Sequence, residues 1–501
     1  MKNKNRILAG LMALCCMQSG LFLTANAETT TEPSDSADIE FKAGDVDLSG
    51  KIDILDVISI NRALVGKEKL SDIQTALADF NMDGKVDFMD SQCIMRYIVG
   101  LYDVEVQPVG TVNLSESVQS QEVEGKEADE AFITAQTGFY LNLFQQAEKE
   151  SPEENILVSP YSVMQALAMT ANGADGSTKA EMELALGGLP LNDLNQYLYT
   201  QRTNQPNEDT CKLTTANSIW YRNDKNRLHV LPEFLQVNAD YYGADAFSAP
   251  FNDSTVKDIN NWCSDKTDGM IPELIDKLDY STVMCLINAV TFDAKWDMPY
   301  NSEYDVHEQS FTAWDGTIQT ADMLCSSHES LYLADEHAEG FYKYYAGRKY
   351  AFAALLPEEG LSVEEYISGL TAESLQNTLA NPEYTTVLTK MPKFSYDYEI
   401  TLNNALMGMG MQEAFTPEAN FSKTASTSSG MLYISEVMHK THIDVTEEGT
   451  RAAAVTGVFA TDTAVPMEPK SSTLDRPFVY MIVDMENHLP VFMGAVKSIS
   501  N

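Results

Sequence analysis

The chain has 501 residues, 44% hydrophobic and 21% charged, enough for two or three cores and too apolar for wholesale disorder. Its 33 Lys and Arg stand against 74 Asp and Glu, and the formal charge of -41 opposes binding to nucleic acid or to an anionic membrane.

In chain order, Lys2, Lys4 and Arg6 precede an apolar run from Ile7 to Leu23 and then Ala25-Asn26-Ala27, the three parts of a secretory signal peptide over 1–27. Cleavage after Ala27 would remove three cations and no acids, leaving 30 Lys and Arg against 74 acids, a charge of -44. No later apolar run approaches membrane-spanning length, and Leu14 ahead of Cys15 is too large for a lipoprotein site. Five cysteines then remain (Cys93, Cys211, Cys263, Cys285, Cys325), odd in number and scattered, as buried thiols are.

Residues 28–42 are a tether of Thr, Glu, Ser and Asp. A repeat follows, Asp45 to Asp56 and Asp79 to Asp90, offset by 34 residues. The first copy sets Asp45, Asp47, Ser49, the Lys51 carbonyl, Asp53 and Asp56 at the positions from which a calcium loop supplies oxygen, with Gly50 at the sharp turn. The second sets Asp79, Asn81, Asp83, the Lys85 carbonyl, Asp87 and Asp90 around Gly84. Two carboxylates ~4 Å apart repel by about 4 kcal/mol at an effective dielectric near 20, so metal should drive this segment to fold. Helices Val57 to Val65 and Ser91 to Val99 are predicted to leave the loops and pack through Val57, Ile58, Ile60, Leu64, Ile94, Met95 and Ile98; no helix leads into the first loop.

This segment, taken as a domain over 43–103, resembles a dockerin, the small all-α module of paired loop-helix repeats that plugs into cohesins on a cellulosome scaffold. The resemblance implies two calcium ions and cohesin contacts from Ile54, Leu55 and Arg62 and from Phe88, Met89 and Arg96. Residues 104–128, polar and acidic with Pro108, Gly110 and Gly125, are expected to be an unpacked linker.

From 129 to 501 the pattern mixes helical periodicity with β-branched runs, as in an α+β domain. It contains neither G-x-S-x-G, nor H-E-x-x-H, nor a P-loop, so no enzyme is indicated. His439 and His442 lie three apart in a predicted strand, on opposite faces, and do not form a metal site. Ser159 and Pro160 read as the cap and first turn of a helix that Gly173 stops. Leu286 to Asp297 reads as a buried strand, and Val479 to Lys497 as two strands joined by a short loop.

Together with Ala216-NSIW, Met391-PKF, Glu447-EGTRAAA-Val455 and Asp475-RPF, these segments resemble a serpin. The resemblance implies three β-sheets, about nine helices and an exposed reactive loop, cleaved by a serine or cysteine protease and inserted as a new strand while the covalent acyl complex persists. It further implies a monomer, a hinge at Glu447, Gly449, Thr450, Ala452, Ala453 and Ala454, a sheet-opening cluster of Ser159, Ser162, Asn288 and His439, and Trp296 as an aromatic plug. The family's spacing from Glu447 puts the scissile bond at Thr463-Ala464, suited to elastase-like or subtilisin-like targets; a one-residue slip would present Asp462. The hinge residues are small, without Pro, and alternation turns Arg451 outward. The alternative is a non-inhibitory serpin serving as a binding component, whose marker would be bulky, charged or Pro residues in the hinge.

Overall fold

The computed structural model describes residues 9–18, 42–80, 85–100, 110–450 and 469–499, apart from single positions 116, 226, 280 and 429. In the small segment, Asp53 and Asp87 each accept a backbone hydrogen bond two residues on, from Leu55 N at 2.8 Å and Met89 N at 2.7 Å. Asp56 and Asp90 reach back to the cap N–H groups at 2.7 and 2.8 Å. These capping boxes start the helices at Ile54 and Phe88, three residues before the apolar pattern, and the helices run Ile54–Leu64 and Phe88–Ile98.

A further helix, Asp72–Ala78, leads toward the second loop, where only exiting helices were expected. Its signal was in the sequence: Ser71 and Gln74 form a capping box of their own. The core gathers Ala43, Val46, Val57, Ile60, Ala78, Phe80, Cys93 and Ile94. Ile58, Leu64, Met95 and Ile98 do not pack inward as expected, because each short helix buries one stripe; they stay on the surface.

The large domain holds nine α-helices among the described residues, from Glu130–Glu150 to Asn403–Gly408. Three sheets frame it. The central one runs in the order Phe394–Thr401, Tyr433–Val445, Ala9–Gln18, Thr282–Lys295, Cys211–Arg222, Asp245–Ala249, Val112–Asn113. A second nine-stranded sheet is threaded by the long strand Ile318–Ala334 and ends on the hairpin Phe478–Asp484 and Leu489–Val496, with Ile156–Val158 at its edge. A two-stranded ribbon, Leu228–Val230 with Ala425–Thr427, is the third. Helix Pro160–Ala171, capped by Ser159 and buried along its whole length, packs against both large sheets.

Two features differ from expectation. Residues 110–128 are not an unpacked linker: Val112 and Asn113 pair with Ser248 and Phe247 at the sheet edge, and Leu114, Val118 and Ala128 pack against the large core. Thr111 Oγ1 donates to Asp258 at 2.6 Å, and Lys126 N donates to Gln196 O. A two-residue strand and apolar residues four apart are too short a pattern to stand out in a polar stretch. The second feature is the N-terminal segment Ala9–Gln18, whose backbone fills the space between Tyr433–Val445 and Thr282–Lys295 and runs antiparallel to both. Its backbone groups satisfy two strand edges that would otherwise face each other unpaired.

Among the described residues, no helix is long and apolar enough to cross a membrane. Among the described residues no disulfide joins the five cysteines, and burial pushes the Cys211 and Cys263 thiols up to about 12, far from reactive thiolate.

Candidate functional site

The first acidic loop closes on itself through its own backbone. Gly50, at φ 82, donates to Asp45 Oδ2 at 2.8 Å, Asp47 N donates to Asp56 Oδ1 at 3.0 Å, and Ser49 N donates to Asp47 Oδ1 at 3.0 Å. Ligand oxygens of Asp45, Asp47 and Asp56 fall within 4.8 Å of one another. That span is what one calcium needs from ligands at 2.3–2.6 Å. Asp45 and Asp56 are buried, Asp45 Oδ1 has no hydrogen-bond partner, and burial raises the Asp56 carboxyl above its ordinary range. An orphaned buried carboxylate oxygen beside two more carboxylates is a donor set that fits a hard cation.

The serine, carbonyl and Asp53 positions behave differently. Ser49 Oγ bonds the Lys51 carbonyl at 3.2 Å, and Asp53 is committed to capping its helix. In the second loop Asn81 and Asp83 lie outside the described residues, while Asp87 and Asp90 reproduce the cap geometry of the first copy and Asp79 and Lys85 stand at its two ends. The residues expected to meet a cohesin form two exposed apolar faces: Ile54 and Leu55 beside Arg62, and Phe88 and Met89 beside Arg96. Ile58, Val65, Met95 and Val99 extend those faces.

In the large domain the expected sheet-opening residues come together from four distant segments. Ser159 N donates to His439 Nε2 at 2.9 Å, and Ser159 Oγ donates to Val491 O at 2.8 Å. Ser162 Oγ donates to Asn288 Oδ1 at 2.5 Å, and Asn288 Nδ2 donates onward to Asn217 Oδ1 at 2.6 Å. All five side chains are buried. Asn288 and His439 lie on the two strands that flank Ala9–Gln18, so this network ties both sides of that slot to the helix beneath it. Asn217 was not singled out, although Ala216-NSIW had been noted; a strand Asn opposite another Asn becomes visible only once register is known.

The mouth of the slot is built around Trp296. Its ring stacks on Tyr345 with centroids 4.5 Å apart, its Nε1 donates to Thr446 O at 2.9 Å, and its backbone N donates to Glu448 O at 3.0 Å. Tyr345 in turn shares a 2.6 Å hydrogen bond with Thr450 Oγ1. The hinge has already entered: Gly449 pairs with Lys295 and Thr450 with Ala294, and Thr450 is fully buried. Only glycine fits at 449, where φ is 154 and a Cβ would lie 2.3 Å from Ala294 O.

Glu447 anchors the entry by an ion pair with Lys393 at 2.8 Å. Burial alone would raise its carboxyl, but the Lys393 hydrogen bond and charge outweigh this and lower it. Tyr345 was missed in the sequence, and Lys393 stood in Met391-PKF without a role of its own; both lie far from the hinge along the chain. His442 faces Asp397 at 2.8 Å while His439 points inward, so the pair splits between the faces of its strand. Ala452, Ala453, Ala454, Thr463 and Ala464 lie outside the described residues.

Comparison with known proteins places these features. The sequence matches the serpin (serine protease inhibitor) family over residues 134–499 and the dockerin type I domain over residues 43–99. It is 30% identical over 390 residues to the plasma serine protease inhibitor of Bos taurus, covering 75% of this chain and 94% of that one. It is 31% identical over 388 residues to leukocyte elastase inhibitor A of Mus musculus, covering 74% of this chain and all of that one. Among solved structures, the thermophilic serpin Tengpin in its native state is 46% identical, with a TM-score of 0.73 over 78% of this chain and 100% of that one. The same protein in its latent state gives 0.67 over 75% and 100%. With the fold, the hinge seated in the sheet and the match over most of the chain in agreement, this chain belongs to the serpin family, whose members are protease inhibitors rather than enzymes, and carries a calcium-binding type I dockerin domain ahead of its serpin domain.

Proposed function

We propose that the protein is a secreted suicide inhibitor of serine proteases, held on a cellulosome scaffold by calcium-dependent binding of its dockerin to a cohesin. The observation that carries the inhibitory reading is the seated hinge. Gly449 and Thr450 pair with Lys295 and Ala294, and the same register carried onward would set Ala453 opposite Thr291. That is where Ala9 of the leader sits, so removal of the leader would leave a slot whose backbone edges face the loop in the correct direction.

The nucleophile of the target attacks the Thr463 carbonyl and the bond to Ala464 breaks, leaving an acyl ester on Thr463 and a free amine on Ala464. Insertion of the hinge, whose inward-facing residues are small and uncharged, into the slot then competes with deacylation. Thr463 and Ala464 fit proteases with small or permissive primary pockets, of subtilisin-like or elastase-like kind. On the dockerin, each loop binds one calcium, which neutralises the clustered carboxylates and fixes the two apolar faces for the cohesin.

Incubation with subtilisin and with elastase should give an SDS-stable complex, and Edman sequencing of the released C-terminal peptide should begin at Ala464. A start at Thr463 moves the bond to Asp462. Complete cleavage without complex would leave a substrate and overturn the inhibitory reading.

A further inference from the structure

Next to Trp296 lies a cavity of about 180 Å³ whose walls include Ser326, Ser330, Leu331, Phe341, Val387 and Lys343. Lys343 is the uncompensated charge there. Its Nζ donates to Met298 O at 2.9 Å and sits 4.0 Å from the Tyr300 ring centroid and 5.4 Å from that of Trp296. Among the described residues no carboxylate pairs with it: Asp297, which also lines the cavity, is held by Arg348 at 2.8 Å, and Asp305 accepts from Asn301 N at 2.7 Å. The side chain is only partly buried, its ammonium lying over the two rings, and desolvation pulls its pKa down to about 7, against the opposite pull of Asp305 and Asp297.

A partly buried ammonium without a paired carboxylate, bordering a void with an apolar wall, matches one class of molecule. We propose that this cavity binds a small monocarboxylate, its carboxylate against Lys343 and its hydrocarbon tail against Leu331, Phe341 and Val387. The volume is that of about six water molecules at roughly 30 Å³ each, room for a tail of a few carbons. Phosphate and dicarboxylates fit less well, because Asp297 borders the cavity and the wall offers no second unpaired cation. The chain's acidic excess does not forbid the site, since charges beyond about 8 Å are largely screened at physiological ionic strength.

Equilibrium dialysis of the full chain with radiolabelled butyrate, at constant ionic strength, tests this. Butyrate is ionised throughout, so a single proton on Lys343 sets the pH dependence: with its pKa near 7, binding should be about tenfold tighter at pH 6 than at pH 8. One saturable site is expected, lost in Lys343→Met and kept in Lys343→Arg without the pH dependence, because arginine stays charged. Benzoate should compete and 1-butanol should not. Absence of saturable binding, equal binding by Lys343→Met, or competition by 1-butanol as strong as by benzoate would each overturn the proposal. The conservative Lys343→Arg keeps the test decisive if Lys343→Met disturbs folding.

Discussion

The dockerin and the serpin domain keep their charges in opposite places. In the dockerin, Asp45 and Asp56 are buried at the centre of the loop and the large apolar side chains Ile54, Leu55, Phe88 and Met89 are outside. In the serpin domain the centre is apolar, and the polar groups beneath the slot bond to one another: Ser162 with Asn288, Asn288 with Asn217, and, elsewhere, Lys497 with Glu148 at 2.6 Å. The first arrangement is completed by a cation from solution, the second by burial alone. One is therefore reversible with a chelator, and the other only by unfolding.

The largest expected effect breaks that contrast directly. At about 4.8 Å, three carboxylates repel pairwise by roughly 3.5 kcal/mol at an effective dielectric of 20, more than so small a core can hold without metal. EDTA, or Asp45→Ala with Asp79→Ala, should therefore abolish helical signal from 43–100 and cohesin binding together, while complex formation with protease continues. Circular dichroism and an inhibition assay on the same sample decide it; parallel loss of both activities would mean that the domains are not separable.

Next in size is the hinge. Thr450 is already buried against Tyr345, so Thr450→Arg would force a charge into a site without a partner, a penalty of about 3–5 kcal/mol. The variant should be cleaved as a substrate with little or no SDS-stable complex. Retention of full stoichiometry would contradict strand insertion.

A smaller effect is expected beneath the sheet. Ser162→Ala leaves Asn288 Oδ1 without its donor in a site closed to water, which costs about 1–3 kcal/mol. Denaturant unfolding of the uncleaved protein should show that loss. Asn217→Ala, which deprives Asn288 Nδ2 of its acceptor, should cost a comparable amount.

How much of this could be read from the sequence follows from the same contrast. Calcium ligands alternate within twelve residues, so Asp45 to Asp56 declare their geometry locally, and the structure brings Asp45, Asp47 and Asp56 together as their spacing required. The slot is assembled from residues hundreds of positions apart, such as Ser159 with His439, and only the family resemblance brought those names together. Where neither local spacing nor resemblance helped, the reading failed. Lys393 and Asn217 lay inside Met391-PKF and Ala216-NSIW but nothing local gave them a role, and residues 110–128 looked like a linker because their attachment is a short edge pairing, a few hydrogen bonds and three small or scattered apolar contacts. Limited proteolysis should spare 111–128, and Val112→Pro, which removes an edge hydrogen bond, should destabilise by about 1 kcal/mol and open that stretch to cleavage.

The smallest effect concerns the pair Glu447 and Lys393, and pH separates it from the rest of the fold. Glu447 is lowered in the folded protein, so its contribution is present above its ordinary value of 4.5 and disappears as pH falls through the folded value. Glu148 behaves oppositely: burial lifts it to about 7 despite Lys497, so it favours the folded state increasingly as pH falls from 7 toward 4.5. Acidification from pH 8 to 5 should thus leave the hinge clamp intact while this group stabilises the domain, and only below about 4.5 should the clamp loosen. Because the pair is partly exposed, its worth is about 0.5–1 kcal/mol, a two- to fivefold change in opening. Hydrogen exchange at the Gly449 and Thr450 amides reads that directly. Lys393→Met should speed their exchange by this factor at pH 7 and lose the difference from wild type in acid; an unchanged rate at pH 7 would show that Trp296 and Tyr345 alone hold the hinge.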